Sequence, residues 1–220
     1  MSATERFPGI YSIDGMLATL NMAAGKKAYA GEMVRIGGAE YRLWNPYRSK
    51  LSAAILNGLW HMAIKEGVSV LYLGAATGTT PSHISDIIGP DGRLYCVELS
   101  ERNMRQLVKV CEARENMLPI LADARMPERY EDIVSVCDVI YQDVSARDQA
   151  EILLANSRFL KEHGTAYFII KSQSIDVSMR PEEVFRRQLE KLKSGFSVAE
   201  LVKLEPFDKL HLFAVLTKKG

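Results

Sequence analysis

The stretch Val68–Thr80, reading VSVLYLGAATGTT, limits what this chain can become more than any other. An apolar run ends abruptly at Gly74, a second glycine follows at Gly78, and a helix-compatible segment comes next. This is the pattern of a strand buried on both faces, a tight turn and a helix. Glycines at the turn let the backbone bend sharply and approach a ligand without a side chain intervening. The spacing is neither the dinucleotide pattern G-x-G-x-x-G nor the phosphate-cradling G-x-x-x-x-G-K-[ST], because the middle glycine is missing and no lysine follows Gly78. The turn suits a polar small molecule, and equally the close packing of a helix on a strand.

Around this stretch the chain alternates strands and helices. A helix starts at Ser49, a plausible N-cap, with Leu51, Ile55, Leu59 and Met62 along one apolar face. After the glycine turn we expect helix 81–88, strand 94–97, helix 100–115, strand 118–121, strand 138–141, helix 147–160, strand 165–170 and helix 180–194. The last two strands, about 197–204 and 211–216, are joined by a segment too short for a crossover helix, so they pair antiparallel. Before residue 48 short segments alternate around glycine turns, with Gly37-Gly38 suited to a two-residue hairpin. The fold expected is α/β: a Rossmann-like, mostly parallel sheet ending in a C-terminal antiparallel hairpin, preceded by a small N-terminal antiparallel β unit. The expected domains are 1–48 and 49–220. No chemistry is legible in the first of them.

Composition narrows the class. With 28 Lys and Arg against 27 Asp and Glu, the net charge of +1 argues against gripping nucleic acid by bulk electrostatics. RNA remains open as a substrate if a partner or a local patch neutralises the phosphates. The 220 residues, 47% hydrophobic, support one large domain or a domain with a small appendage. No leader-like or bilayer-length apolar segment is apparent, so a cytoplasmic protein without membrane association is expected. Cys96, Cys111 and Cys137 are odd in number and widely spaced, which speaks against a disulfide or zinc framework.

Open α/β sheets bind ligands at the carboxyl ends of their strands. Glu98 closes the second strand, where a carboxylate can accept hydrogen bonds from both hydroxyls of a ribose; a helix-entry carboxylate next to Ser100 is the alternative. Asp123 follows the third strand and could reach an adenine amino group while Ala124 leaves the ring room, although a turn residue reads the same way. Thr79 and Thr80 offer N–H groups and hydroxyls at a helix start, suited to a carboxylate or to simple capping.

Several segments then become specific in order and spacing: YRLWNPYRSKL at 41–51, VLYLGAATGTTPSH at 70–83, Asp123-Ala124, YQDV at 141–144, Ile170-Lys171 with Ser174-Ile-Asp176, and Glu205-Pro-Phe207 with His211. Together they resemble the fibrillarin-like RNA 2′-O-methyltransferases over nearly the whole chain. The archaeal form is the better likeness, since no glycine- and arginine-rich tail precedes the small sheet. The resemblance implies S-adenosyl-L-methionine as cofactor, held at Gly74, Ala75, Gly78, Thr79, Thr80, Glu98, Leu99, Asp123, Ala124, Asp143, Val144, Ser145 and Ala146. It implies methylation of ribose 2′-hydroxyls in rRNA and tRNA within a box C/D guide ribonucleoprotein. The implied partners are the box C/D guide RNA, the target RNA, a Nop-family scaffold protein and a kink-turn-binding, ribosomal-type protein. The helices about 147–158 and 181–194 offer faces for docking.

The resemblance also implies a catalytic tetrad at Lys50, Asp143, Lys171 and His211, without a metal. Chemistry agrees with these residue types. A ribose hydroxyl needs its proton removed and a sulfonium methyl is already activated, so a base and alignment suffice. Lys171 ends an apolar strand, where partial loss of solvent favours the neutral amine, and Asp143 ends a neighbouring strand; Lys171 is the expected base. Read alone, Lys50 is also an ordinary first-turn lysine and His211 an ordinary edge-strand histidine. Three positions depart from the family pattern: Ser145-Ala146, Ser172-Gln173, and Leu210, where an aspartate is usual. The last would deprive His211 of a carboxylate partner. A small-molecule or protein methyltransferase and a cofactor-binding assembly subunit are the other function classes the fold admits.

Overall fold

Short strands around glycine turns build the N-terminal part of the computed structural model, which describes residues 2–26, 28–29 and 31–220. Strands β1 (Thr4–Phe7), β2 (Ile10–Ile13), β3 (Met16–Leu20), β4 (Met33–Ile36) and β5 (Ala39–Trp44) form an antiparallel sheet of order β1-β2-β3-β5-β4. The β4–β5 hairpin turns at Gly37 and Gly38, both at positive φ (58° and 86°), as a two-residue turn between right-twisted strands requires. The edge strand β1, with a mostly exposed TERF sequence, lacks the apolar alternation that marks its neighbours and escapes a sequence reading.

Helix α1 (Lys50–Leu56) leads to the second sheet, in which β6 (Ser69–Leu73), α2 (Thr79–Ile88), β7 (Arg93–Glu98), α3 (Glu101–Cys111), β8 (Met117–Leu121), β9 (Cys137–Gln142), α4 (Gln149–Asn156), β10 (Leu160–Lys171), α5 (Ser172–Ile175), α6 (Pro181–Leu192), β11 (Phe196–Lys203) and β12 (His211–Lys218) follow in turn. The strand order is β11-β12-β10-β9-β6-β7-β8. The five strands from β10 to β8 are parallel, and β12 pairs antiparallel with both β10 and β11. Both faces of the sheet are covered. Val70, Tyr72 and Tyr141 point into a core shared with α1, α2 and α3, whereas Leu71, Leu73 and Ile140 point into one shared with α4 and α6. Two buried layers explain why the central strands read as unbroken apolar runs. Pro119 lies in β8, an edge strand, where its missing N–H costs no ladder bond.

Element boundaries differ from expectation where local capping overrules periodicity. The first helix stops at Leu56, because Asn57 caps it and Gly58 turns away at φ 97°. Leu59 stays buried on the same core from the loop beyond, which is why the apolar pattern runs past the helix end. The helix expected over 147–160 is α4 followed by one tight turn at Ser157–Phe159, and β10 begins at Leu160, with a register irregularity before Thr165. The helix expected over 100–115 ends at Cys111.

Cys96 and Cys137 are buried, Cys111 is half-buried, and all three are free. Among the described residues no helix is long and apolar enough to cross a membrane.

Candidate active site

From β6 the chain moves outward through β7 and β8, then returns to place β9 on the other side of β6. That reversal opens a crevice at the strand ends. Gly74 makes it close-fitting: it lies at φ 82°, and a Cβ there would come 2.9 Å from the Asp143 carbonyl oxygen. Only glycine lets the turn after β6 touch the end of β9. Gly78, at φ 88°, has another duty, since a Cβ there would stand 3.0 Å from Leu107 Cδ1 and push α2 off α3.

The crevice is a cleft of about 420 Å³, into which Gly74, Glu98, Leu99, Asp123, Ala124, Asp143, Val144, Ser145 and Ala146 all face, with Lys50 and Lys171 at one end. Glu98 is buried; its Oε2 accepts from the Ala76 N–H at 2.8 Å and its Oε1 from the Ser100 N–H at 2.8 Å. The bond from Ser100 bears out the helix-entry reading of this carboxylate, which also lines the cleft. Asp123 accepts from the Arg125 N–H at 2.9 Å. Arg125 in turn pairs with Asp148 at 2.8 Å, spanning the mouth of the cleft. The Ala124 carbonyl is held by Asn156 Nδ2 at 2.8 Å, and Asn156 accepts from Tyr130 Oη at 2.6 Å. Ala75, Gly78, Thr79 and Thr80 stand behind the lining, in and after the turn. The Thr80 hydroxyl donates to Ser49 Oγ at 3.0 Å, which ties the first turn of α2 to the N-cap of α1 and hence to Lys50.

Four elements bring the tetrad residues together. Lys50 opens α1, Asp143 follows β9, Lys171 ends β10, and His211 begins β12 directly opposite Lys171 in the antiparallel register. Lys50 Nζ donates to Asp143 Oδ2 at 3.2 Å. Lys171 Nζ lies 2.7 Å from Asp143 Oδ1, and its hydrogen bonds go to the Asp143 carbonyl at 2.8 Å and Ser145 Oγ at 3.1 Å. The Asp143 Oδ1 contact is an ion pair without hydrogen-bond alignment, so this buried acceptor has no hydrogen-bond donor among the described residues. Burial pulls the Lys50 ammonium pKa down, but the charges of Asp143 and Asp208 outweigh it and leave the group above its ordinary value.

The expectation that His211 lacks a carboxylate partner is corrected here. Asp208, three residues earlier, accepts from His211 Nδ1 and also lies 3.6 Å from Lys50. Leu210 lies at φ 63°, and the loop before it brings Asp208 to His211 and Lys50. A D-x-x-H spacing just before the last strand was the available signal. Arg125 with Asp148, and Asn156 behind Ala124, were likewise beyond a sequence reading, because their partners lie 23 and 32 residues away.

The cleft fits an adenosyl sulfonium ligand on its own terms. Carboxylates at Glu98 and Asp123 stand at one end, small residues line the middle, and a cradle at Gly74 that a Cβ would fill leads to the Asp143 carboxylate, ion-paired with Lys50 and Lys171. Among the described residues there is no cluster of His, Cys, Asp and Glu suited to a metal ion.

Comparison with known proteins extends this geometry to the whole chain. The Fibrillarin family model matches residues 1–220. A fibrillarin-like rRNA/tRNA 2′-O-methyltransferase of Thermococcus sibiricus is 48% identical over 220 residues, covering 97% of each chain. The crystal structure of Aeropyrum pernix fibrillarin with natively bound S-adenosyl-L-methionine is 44% identical, covers 98% of both chains and superposes with a TM-score of 0.91. Fibrillarin in a fibrillarin/Nop5p complex is 38% identical, with 98% of this chain and 100% of that one covered and a TM-score of 0.90. On the match across all 220 residues, the chain belongs to the fibrillarin family.

Proposed function

We propose that this protein methylates ribose 2′-hydroxyls of rRNA and tRNA with S-adenosyl-L-methionine, working inside a box C/D ribonucleoprotein. The observation that carries the reading is the convergence of Lys50, Asp143, Lys171 and His211 at one end of a cleft whose other end presents Glu98 and Asp123. In this reading residues 1–48 are a small β domain and 49–220 the methyltransferase domain.

Glu98 would bind the ribose hydroxyls of the cofactor, Asp123 its adenine amino group, and Ala124 would leave space for the ring. The methionine end would lie along the turn from Gly74 through Ala75 and Gly78 to Thr79 and Thr80, with Leu99, Val144, Ser145 and Ala146 closing the sides. When bound, the cofactor supplies a methyl group already activated on sulfur. What remains for the protein is to align the hydroxyl and take its proton. Lys171 is the acceptor the sequence nominates, with Asp143 orienting it. A second reading makes His211 the acceptor. It is favoured by the three oxygens within 3.1 Å of Lys171 Nζ, against a His211 Nε2 that makes no hydrogen bond to any described residue.

Near-neutral charge implies that RNA recognition is delegated. A Nop-family scaffold would dock the enzyme, a kink-turn-binding protein would anchor the guide RNA, and base pairing would select the target ribose. The cytoplasm is the compartment proposed for this activity. The test is methyl transfer to a guide–target RNA pair by the purified protein alone and then with both partner proteins, with the modified ribose mapped. Methylation at one guided ribose only when both partners are present is expected. Efficient site-specific transfer by the protein alone would overturn the delegated recognition, and transfer to a base or to protein would overturn the ribose assignment.

A further inference from the structure

We infer that Asp208 is a positioning residue that fixes the ring of His211 so that its Nε2 receives the proton of the ribose hydroxyl. This rests on the reading of the cleft as a ribose methylation site. Asp208 lies in the loop between β11 and β12, and its backbone N–H donates to the carbonyl of the fully buried Leu204 at 3.0 Å, which pins the loop. One carboxylate oxygen accepts from His211 Nδ1, and the other faces Lys50 Nζ at 3.6 Å. Burial raises the Asp208 carboxyl, but the His211 hydrogen bond and the charges of His211 and Lys50 outweigh it and hold the group below the usual carboxylate value.

An ionised carboxylate only accepts, so the hydrogen between the two side chains belongs to Nδ1. Whenever the ring is neutral, its lone pair then sits on Nε2, which makes no hydrogen bond to any described residue. Every other nitrogen of the cluster is committed to a carboxylate: Lys50 to Asp143 and Asp208, and Lys171 to Asp143. Of these groups, Lys171 on β10 stands opposite His211 in the strand register, and Lys50 on α1 shares the Asp208 carboxylate with it. In the step this implies, the ribose O–H bond breaks as an N–H bond forms on Nε2. The freed oxygen electron pair forms the new C–O bond to the methyl carbon, and the C–S pair leaves with sulfur as a neutral thioether. The imidazolium that results is stabilised by Asp208, the same division of labour as between histidine and aspartate in acyl-transfer triads.

With Leu210 where an aspartate is usual, the carboxylate comes from three residues before the histidine and reaches Lys50 as well.

Two measurements test it. On ¹⁵N-histidine-labelled free protein, His211 should show the Nδ1–H tautomer, and Asp208→Ala should abolish that preference. In the assembled particle under single-turnover conditions, Asp208→Ala should slow methyl transfer about 10²-fold, with cofactor affinity unchanged. Asp208→Asn keeps the shape and an acceptor oxygen but not the charge, and should slow transfer about tenfold. The double variant with His211→Ala should be no slower than His211→Ala alone, because the two act as a unit. Transfer by Asp208→Ala within about threefold of wild type, an unchanged tautomer, or losses that multiply in the double variant would each overturn the inference. If the wild-type particle methylates no ribose, the functional reading fails instead, and the tautomer still decides whether Asp208 holds His211.

Discussion

Two clusters of cations around carboxylates, one built on Asp86 of α2 and the other on Asp143 at the strand ends, differ in what they leave unsatisfied. Between the two sheets, Asp86 pairs with Arg42 at 2.6 Å and Arg114 at 2.6 Å, and also accepts from Thr19 Oγ1 at 2.7 Å and the Met22 N–H at 3.1 Å. No side chain in that trio is more than 4% exposed. Every acceptor position of Asp86 is filled, so the cluster has nothing left to offer a ligand; it clamps the N-terminal sheet to α2. At the cleft, Asp143 also stands between two cations, yet its Oδ1 lacks a hydrogen-bond donor among the described residues and the side chains of Lys50, Asp208 and His211 are 21–28% exposed. The same residue types make a rivet where they are dry and saturated; partly exposed beside a cleft, they suit the reaction centre proposed above.

Substitution can break this contrast. The largest effect expected is on rate: Asp143→Ala or Lys171→Ala should lower single-turnover methyl transfer at saturating RNA by roughly 10²–10⁴-fold while the thermal transition stays cooperative. Near-wild-type turnover in a folded variant would reduce the cleft cluster to a second rivet. Asp86→Ala should act the opposite way. It leaves two buried guanidinium groups without their counter-charge, and urea unfolding should report a loss of about 3–5 kcal/mol. An unchanged midpoint would show that Arg42 and Arg114 find other partners.

Smaller effects sharpen the comparison. Glu98→Ala should weaken S-adenosyl-L-methionine binding by roughly 1.5–3 kcal/mol in calorimetry, the worth of a hydrogen bond to a charged group. Undiminished affinity would leave Glu98 with only its bonds to the Ala76 and Ser100 N–H groups. Beside the Asp86 cluster, His83 is fully buried, stacked 4.7 Å from Trp44, and bonded to Thr19 and Tyr29. Burial, reinforced by the charges of Arg42 and Arg114, drives its pKa well below the ordinary 6.5. The folded protein keeps this ring neutral while the unfolded chain protonates it. Its contribution is therefore complete above pH 6.5 and declines as pH falls below that value, by at most about 1.4 kcal/mol per pH unit. Between pH 6.5 and 5, His83→Gln should remove that one-proton slope; a slope identical to wild type would assign it to another group.

What was legible followed from periodicity and punctuation. Apolar stretches at 70–73 and 139–141 announced parallel strands, Gly37-Gly38 a hairpin, and the short 205–210 link an antiparallel pair. The glycine turn located the cleft, but the sequence could not divide the labour between its glycines. Gly74 lies against the end of β9 and Gly78 against α3, contacts made 69 and 29 residues further along the chain.

The sequence by itself determined the succession of elements, the two-sided burial of the central sheet, the absence of a disulfide framework, and membership of a family whose four tetrad residues can be named. Only the tertiary structure decided which groups share a hydrogen bond. Lys50 meets Asp143 across 93 residues, Arg114 meets Asn21 across 93, and Asp208 turns back to His211 and Lys50. The physical reason is range. Strand and helix preferences are set by neighbours a few residues away, which any reading of the chain contains. Whether a carboxylate ends saturated or open depends on donors brought to it by distant segments and on how much water the packing removes, and both exist only once the chain has closed on itself.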